Sequence, residues 1–319
     1  MSYNTYTQQG SFVSDGTRKV LQLRGDIDWI HVWNLTTLVA GGAGTGVEFR
    51  WMRGFENDTA IEYTKLAADD SIAIDTIASG GFTPIDSSKT PKLSAINSTV
   101  TAVSNASPPL VSLTSTAGLE EDDIVRFVDV TGAQQLGGID FTIDTITTNT
   151  SFELAYAPTI VAGTTGSFRR VIKNPLYYPR HRYISAITQA TNAVITLTVT
   201  HGFTVGQIVR FQVPAAFDMT EMDSLQGTIT AVNATTNTIT VDINSSAFTA
   251  FAWPLTTDVP FTPAMVIPLG DEATVLDGAT YNQGYIGVEL AAGTDSPAGV
   301  LNDDIFWMAG KSFSVTNEP

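Results

Sequence analysis

There is no cysteine anywhere in the 319 residues. Disulfide scaffolds, thiolate metal sites and cysteine nucleophiles are therefore excluded from the start. Charge is scarce as well. Charged residues make up 15% of the chain, well below the ~25% of an ordinary globular domain. The few charges are unbalanced, with 16 Lys or Arg against 32 Asp or Glu and a net charge of −16. General nucleic-acid binding needs a basic footprint and is disfavoured by this balance. No run of about 18 apolar residues occurs, so no membrane-spanning helix is expected. The polar start MSYNTYTQQGSF does not read as a secretory signal, and the reducing cytoplasm is the simplest folding context.

Strand patterns fill the space that charged helices would occupy. Thr17 to Leu23 follows an Asp15-Gly16 turn pair. Asp28 to Leu35 is almost continuously apolar and aromatic, which predicts a strand buried on both faces. Val47, Phe49 and Trp51 alternate with Glu48, Arg50 and Met52, the period-2 signature of a half-buried strand. Gly41 to Gly46 reads as a hairpin loop, and Ser71 to Ile77 as a short strand. Ala60 to Asp69 is the one stretch with a helical pattern.

The middle of the chain holds a duplication. Residues 100–127 and 184–211 align without a gap at an offset of 84, and ten of the 28 positions are identical. The shared residues include Gly118/Gly202 and the block Ile-Val-Arg-Phe at 124–127 and 208–211. Each copy runs on into a second alternating pair, with Asn149 or Asn237 at its turn. Glycine at the corner suggests a positive φ there. A unit of this size makes a small barrel or open sandwich.

All five tryptophans lie outside residues 52–252. This places residues 1–93 and 255–319 in one discontinuous domain. The expected fold class is all-β: an aromatic-cored, jelly-roll-like β-sandwich with two inserted small β-barrel repeats, at 94–170 and 171–254.

Candidate chemistry is thin. Gly41 to Gly46 precedes no helix, and Gly310-Lys311-Ser312 has Ile305 where a phosphate loop requires Gly. No Ser sits in a G-x-S-x-G elbow. His31, His181 and His201 are isolated and read as turn or core residues. The acidic pairs Asp69-Asp70, Asp122-Asp123 and Asp303-Asp304 read as solvated loops, with calcium a minor alternative. One stretch stands apart. Arg169, Arg170, Lys173, Tyr177, Tyr178, Arg180, Arg182 and Tyr183 interleave cations with aromatics, in five of the 16 basic residues. Single-stranded nucleic acid could be gripped this way. In an acidic chain, at the join between two repeats, an inter-domain or inter-subunit interface is the favoured reading.

The form (His/Ala)-Gly-(Phe/Leu) followed by Val-Arg-Phe, at 201–211 and 117–127, resembles a repeat of tailed-phage structural proteins. That repeat is commonly likened to the small β-barrel of ubiquitin-activating enzymes. The likeness implies a fold only, since this chain has neither the cysteine nor the nucleotide loop. Segments 6–34 and 296–311 are similar to the ends of phage virion proteins. The resemblance implies a non-enzymatic virion component of the tail, neck or capsid surface, assembled in the host bacterial cytoplasm, with no cofactor. Its expected partners are further copies in a ring or trimer and other virion proteins. DNA would pass an acidic wall without specific binding. The alternative is a receptor- or carbohydrate-binding adhesion protein.

Overall fold

The computed structural model describes residues 7–23, 27–40, 45–66, 71–86, 92–172, 181–254, 262–269 and 285–311. The chain divides into two compact units. One is built from the two ends of the chain, up to residue 89 and from 277 onward, and the other mainly from the middle. The fold class is all-β.

The unit of the chain ends is one curled sheet of eight strands. They are β1 (Thr7–Val13), β2 (Lys19–Gln22), β3 (Trp29–Asn34), β4 (Thr45–Met52), β5 (Thr59–Lys65), β6 (Ile72–Asp86), β20 (Tyr285–Leu290) and β21 (Asp304–Gly310). Their order is β1-β21-β3-β4-β5-β6-β20-β2. β6 and β20 are hydrogen-bonded neighbours, Phe82 opposite Leu290, although the whole middle unit separates them in sequence. Both barrels are thus an insertion between two paired strands.

Alternation builds the core of this sheet. Phe49 and Trp51 of β4, Ile30 and Val32 of β3, and Phe82, Val288 and Leu290 are buried together. Fully burying one such side chain stabilises by roughly 1.5–3 kcal/mol. β3 is not buried on both faces as its apolar run predicts. Ile30, Val32 and Asn34 point inward, while Trp29, His31 and Trp33 are half-exposed on the outer face. Those three rings stack edge to face, with centroids 5.2 and 5.8 Å apart, and β4 supplies the ion-paired Arg50 and Glu48 beside them. His31 Nδ1 lies 3.6 Å from Glu48 Oε1, and the Arg50 guanidinium lies over the Tyr63 ring at 4.2 Å.

The stretch expected to be helical is β5 for its first half; residues 67–70 lie outside the described residues. β5 lies between β4 and β6 and pairs with both, and its Ile61 and Tyr63 suit a pleated surface. Tertiary pairing overrides a weak local pattern here. Among the described residues the one α-helix, α1 (Leu35–Ala40), is six residues long and follows β3 directly. Thr37 N donates to Asn34 Oδ1 at 3.1 Å, which caps the turn. In β6, Gly80 has φ +83° and a Cβ on Gly81 would run into the Thr59 backbone. The pair of glycines is what lets one strand leave β5 and continue against β20.

The middle unit holds two barrels. The first comprises β8 (Asn97–Val103), β9 (Leu110–Leu113), β10 (Ile124–Thr131), β11 (Asp140–Thr147), β12 (Ser151–Ala155) and β13 (Thr165–Ile172), with β7 (Lys92–Leu93) added outside β13. The second comprises β14 (Arg182–Ile187), β15 (Val194–Leu197), β16 (Ile208–Gln212), β17 (Gln226–Asn233), β18 (Thr238–Val241) and β19 (Met265–Pro268). The first closes in the order β8-β9-β12-β11-β10-β13 and the second as β14-β15-β18-β17-β16-β19, so the copies match strand for strand. β19 lies beyond residue 254, where the sequence reading ended this repeat; without it the second barrel would have an open edge.

Shared residues mark shared geometry. Ala102 and Ala186 follow the same register shift in β8 and β14, and the shift after Ile143 in β11 returns after Ile229 in β17. Such bulges bend strands enough to close a small barrel. The corner differs from expectation. Gly118 has φ +75°, but Gly202 is not in the left-handed region, and the left-handed position common to both copies is Asp122 (φ 67°) and Gly206 (φ 89°). Asp122 N donates to Ile143 O at 2.9 Å and Gly206 N to Ile229 O at 2.8 Å, so the corner is pinned identically. Asn149 (φ 51°) and Asn237 (φ 49°) make the predicted turns, as Asn tolerates this conformation.

The interiors are filled differently. Cross-strand pairing places Phe141, Phe152 and Phe168 of the first barrel where the second has Gly227, Ile239 and Val266. The second barrel makes up the volume from its connections, where Phe217, Met219 and Met222 are fully buried and Trp253 packs edge-on against Phe217 at 5.4 Å. Trp253 therefore belongs to the second barrel and not to the sheet of the chain ends. Close packing holds total volume constant while its source moves, which is why the repeat fades after 28 positions.

Candidate functional site: the seam between the barrels

The two barrels share a core cluster and meet along a seam of specific contacts. On the first barrel, β10 and β11 present a row of side chains on the outer face. Arg126 Nε and Nη2 donate to Asp140 Oδ1 and Oδ2 at 2.6 and 3.0 Å, a bidentate pair. The Asp140 carboxylate is only 3% exposed and the Arg126 side chain 26%. Next to this pair Thr142 N donates to Thr198 O of the second barrel at 3.1 Å. Ile124 and Val171 of the first barrel form an apolar cluster with Val199 of the second, against which Leu93 packs. Further along, Tyr156 Oη donates to Thr235 O at 3.5 Å.

The second barrel answers with the start of β14 and the corner after β15. Thr198 N donates to Tyr183 O at 3.0 Å, and Arg182 Nε donates to Thr200 O at 3.0 Å. His181 packs edge-on against Tyr183 at 5.6 Å. The Tyr183 phenol is pushed up by burial first and by the Asp140 charge second. Burial and the neighbouring Arg182 push His181 down.

The cation–aromatic stretch is divided by this geometry. Arg182 and Tyr183 belong to the seam. Arg169 sits opposite Arg126 on β13, and its Nη1 donates to Ser94 O at 3.5 Å. Arg170 Nη1 lies 3.9 Å from Asp123 Oδ1. Lys173, Tyr177, Tyr178 and Arg180 lie outside the described residues. Sequence reasoning missed Asp140. Its signal was available, as an acid set between apolar residues in Gly-Ile-Asp-Phe, opposite the one charge that the repeats share.

The other candidates serve the fold. The Asp303 carboxylate accepts Asn34 Nδ2 at 2.7 Å and Val300 N at 2.9 Å, tying the turn before β21 to the end of β3. Asp123 Oδ2 accepts Glu120 N at 2.8 Å across a turn. Among the described residues no group of three or more His, Asp or Glu is placed to hold a metal ion. Asp69 and Asp70 lie outside the described residues.

All three histidines lie below their ordinary pKa, with burial the first cause in each. The folded chain therefore binds these protons less readily than the unfolded chain. Their contribution is complete above the unfolded value of 6.5 and is lost as the pH falls below it. Urea midpoints should drop between about pH 7.5 and about pH 5.5. The drop should be shallower in a His181→Gln/His201→Asn variant; an equal drop there would assign it to other groups.

No protein-family model matches the chain, and no curated protein matches it either.

Proposed function

We propose that the chain is a non-enzymatic structural component of a tailed-phage virion, part of a tail, neck or capsid-surface assembly. The observation that carries the reading is the nature of the duplication. What the two copies share is core, bulge and corner, and the single shared charge, Arg126/Arg210, forms an ion pair at the seam in one copy. A module copied for its shape and stacked on its twin is an assembly element. The net charge of −16 supports the same reading, since an acidic surface repels phosphate and lets DNA pass. The partners are further copies of the chain and other virion proteins.

Mass photometry of the pure chain, with immunogold labelling of virions, tests this. A discrete ring- or trimer-sized species and labelled particles are expected. A strict monomer that is absent from particles sinks the proposal. A receptor- or carbohydrate-binding role is the second reading, favoured by the half-exposed row Trp29, His31 and Trp33 beside Phe306, whose ring lies 5.8 Å from Trp33. Glycan-array hits that vanish in Trp33→Ala would move the assignment there.

A further inference from the structure

One core position of the chain-end sheet carries an acid. Along β5, Ala60 and Glu62 share the buried face, while Ile61 and Tyr63 take the other. Glu62 stands directly opposite Phe49, on the side where Phe49 and Trp51 are packed, and is 8% exposed. Among the described residues it has no ion-pair partner.

Gly46 makes room for it. A Cβ on Gly46 would run into the Glu62 carboxylate and the Phe49 ring. The same residue is gripped through its backbone. Gly46 N donates to Asp295 Oδ1 at 3.2 Å, and Thr37 Oγ1 of α1 donates to Gly46 O at 3.2 Å. Asp295 belongs to the loop 291–303 between β20 and β21. The ends of that loop are fixed: Ala291 N donates to Gly81 O at 3.0 Å, and Asp303 O accepts Ser14 N at 2.8 Å. Between them, Asp295 ties the loop to the start of β4.

The charges that face Glu62 are all of its own sign. Asp295 reaches it from the loop, and Asp75 stands opposite it on β6. Both are exposed. Asp303, in the same loop, is turned to Asn34. β4 and β5 offer no cation on this side, since Arg50 is paired with Glu48 on the outer face and Lys65 alternates to that face. α1 carries no charge. The three carboxylates are not placed to hold a metal ion.

We propose that Glu62 and Asp295 form a proton-operated latch: with Glu62 protonated the loop 291–303 is seated on the start of β4, and ionisation of Glu62 drives the two carboxylates apart and loosens the loop. Two effects oppose the ionised form, loss of water and like charge at short range. Burial first and the Asp295 charge second hold the Glu62 carboxyl above its ordinary value of 4.5, and the Thr64 hydroxyl, which pulls the other way, is outweighed. The folded chain therefore holds this proton more tightly than the unfolded chain. The stability it contributes is complete below 4.5 and is lost as the pH rises through the folded value. This sign is opposite to that of the histidines. The loop leads into β21, which pairs with both β1 and β3, so acid tightens the strand that joins the two ends of the chain. The inference does not depend on the assembly reading.

Amide exchange in the full chain, read by nuclear magnetic resonance from about pH 5 to about pH 8, tests it on the wild type and Glu62→Gln. At about pH 8 the Gly46 amide should be protected about threefold or more better in Glu62→Gln, and this advantage should shrink as the pH falls. Val32, in the middle of the sheet, should change little. An advantage of one size at every pH, or none at any, overturns the latch. An advantage equal at Val32 overturns it too, because the charge would then act on the whole sheet. The wild type gives a second reading without relying on a variant's stability. Its Glu62 carboxyl carbon should titrate above the ordinary glutamate value, and closer to that value in Asp295→Asn. Titration at or below the ordinary value overturns the proposal, and an unchanged titration in Asp295→Asn overturns Asp295 as the other half of the latch.

Discussion

Phe127→Ala is expected to lower the unfolding free energy of the barrel unit by about 4–5 kcal/mol, and Phe211→Ala by about 3 kcal/mol, although the two residues are equivalent in the repeat. Both rings are fully buried. The difference comes from what surrounds them. In the first barrel Phe127 and Phe152 each contact Phe168, with centroids 5.9 and 5.5 Å apart. Interlocked rings of this kind relax little, so the cavity stays open and its full cost is felt. In the second barrel the core is completed by the connection bearing Met219 and Met222. An unbranched thioether side chain adapts to a void and recovers part of the loss. Urea unfolding followed by circular dichroism measures both values. The shared core cluster also implies one cooperative transition for the two barrels. Two resolved transitions, or a larger loss at Phe211, would show that the barrels do not share a core as described.

Asp140→Ala is expected to cost about 2–4 kcal/mol. It removes two charge-assisted hydrogen bonds and leaves Arg126 partly buried with its clasp gone. The full penalty for breaking a buried pair is discounted here, because Arg126 keeps 26% of its side-chain surface in water. The comparison that isolates the pair is Arg126→Met/Asp140→Leu. Replacing both partners with apolar groups strands no charge, so the double variant should be more stable than Asp140→Ala alone. The seam should also loosen in Asp140→Ala, seen as faster amide exchange at Thr142, whose N–H crosses to Thr198. Normal protection at Thr142 in a destabilised Asp140→Ala would mean that the pair supports the first barrel and not the seam.

Much of the architecture was legible before any coordinates. Val47, Phe49 and Trp51 alternate, and they form the buried face of β4. The gapless repeat of 28 residues marked two equivalent units, and Asn149 and Asn237 marked their turns. Other features were legible only in part. The apolar run at 28–35 showed a strand but not that one face of it would stay half-exposed, because exposure depends on which strands flank it. The corner glycines pointed to the right segment, while the conserved left-handed position fell on Asp122 and Gly206, four residues on. Ala60 to Lys65 carries no strong local preference and took the conformation that β4 and β6 imposed.

The seam lay beyond sequence reasoning for a different reason. Arg126 was visible as the one shared charge, but its partner Asp140 has Gln226 as its counterpart, so comparison of the repeats discards it. β19 was missed likewise: four residues, Met265–Pro268, carry too little pattern to be seen until a barrel edge needs them. By itself the sequence determined the β class, the duplication, the absence of thiol chemistry and the acidic surface, because these follow from composition and local periodicity. Only the tertiary structure decided how each barrel closes, how each interior is filled and which face of which copy is covered. Those depend on pairings between residues far apart in the chain, and period alone does not name a partner.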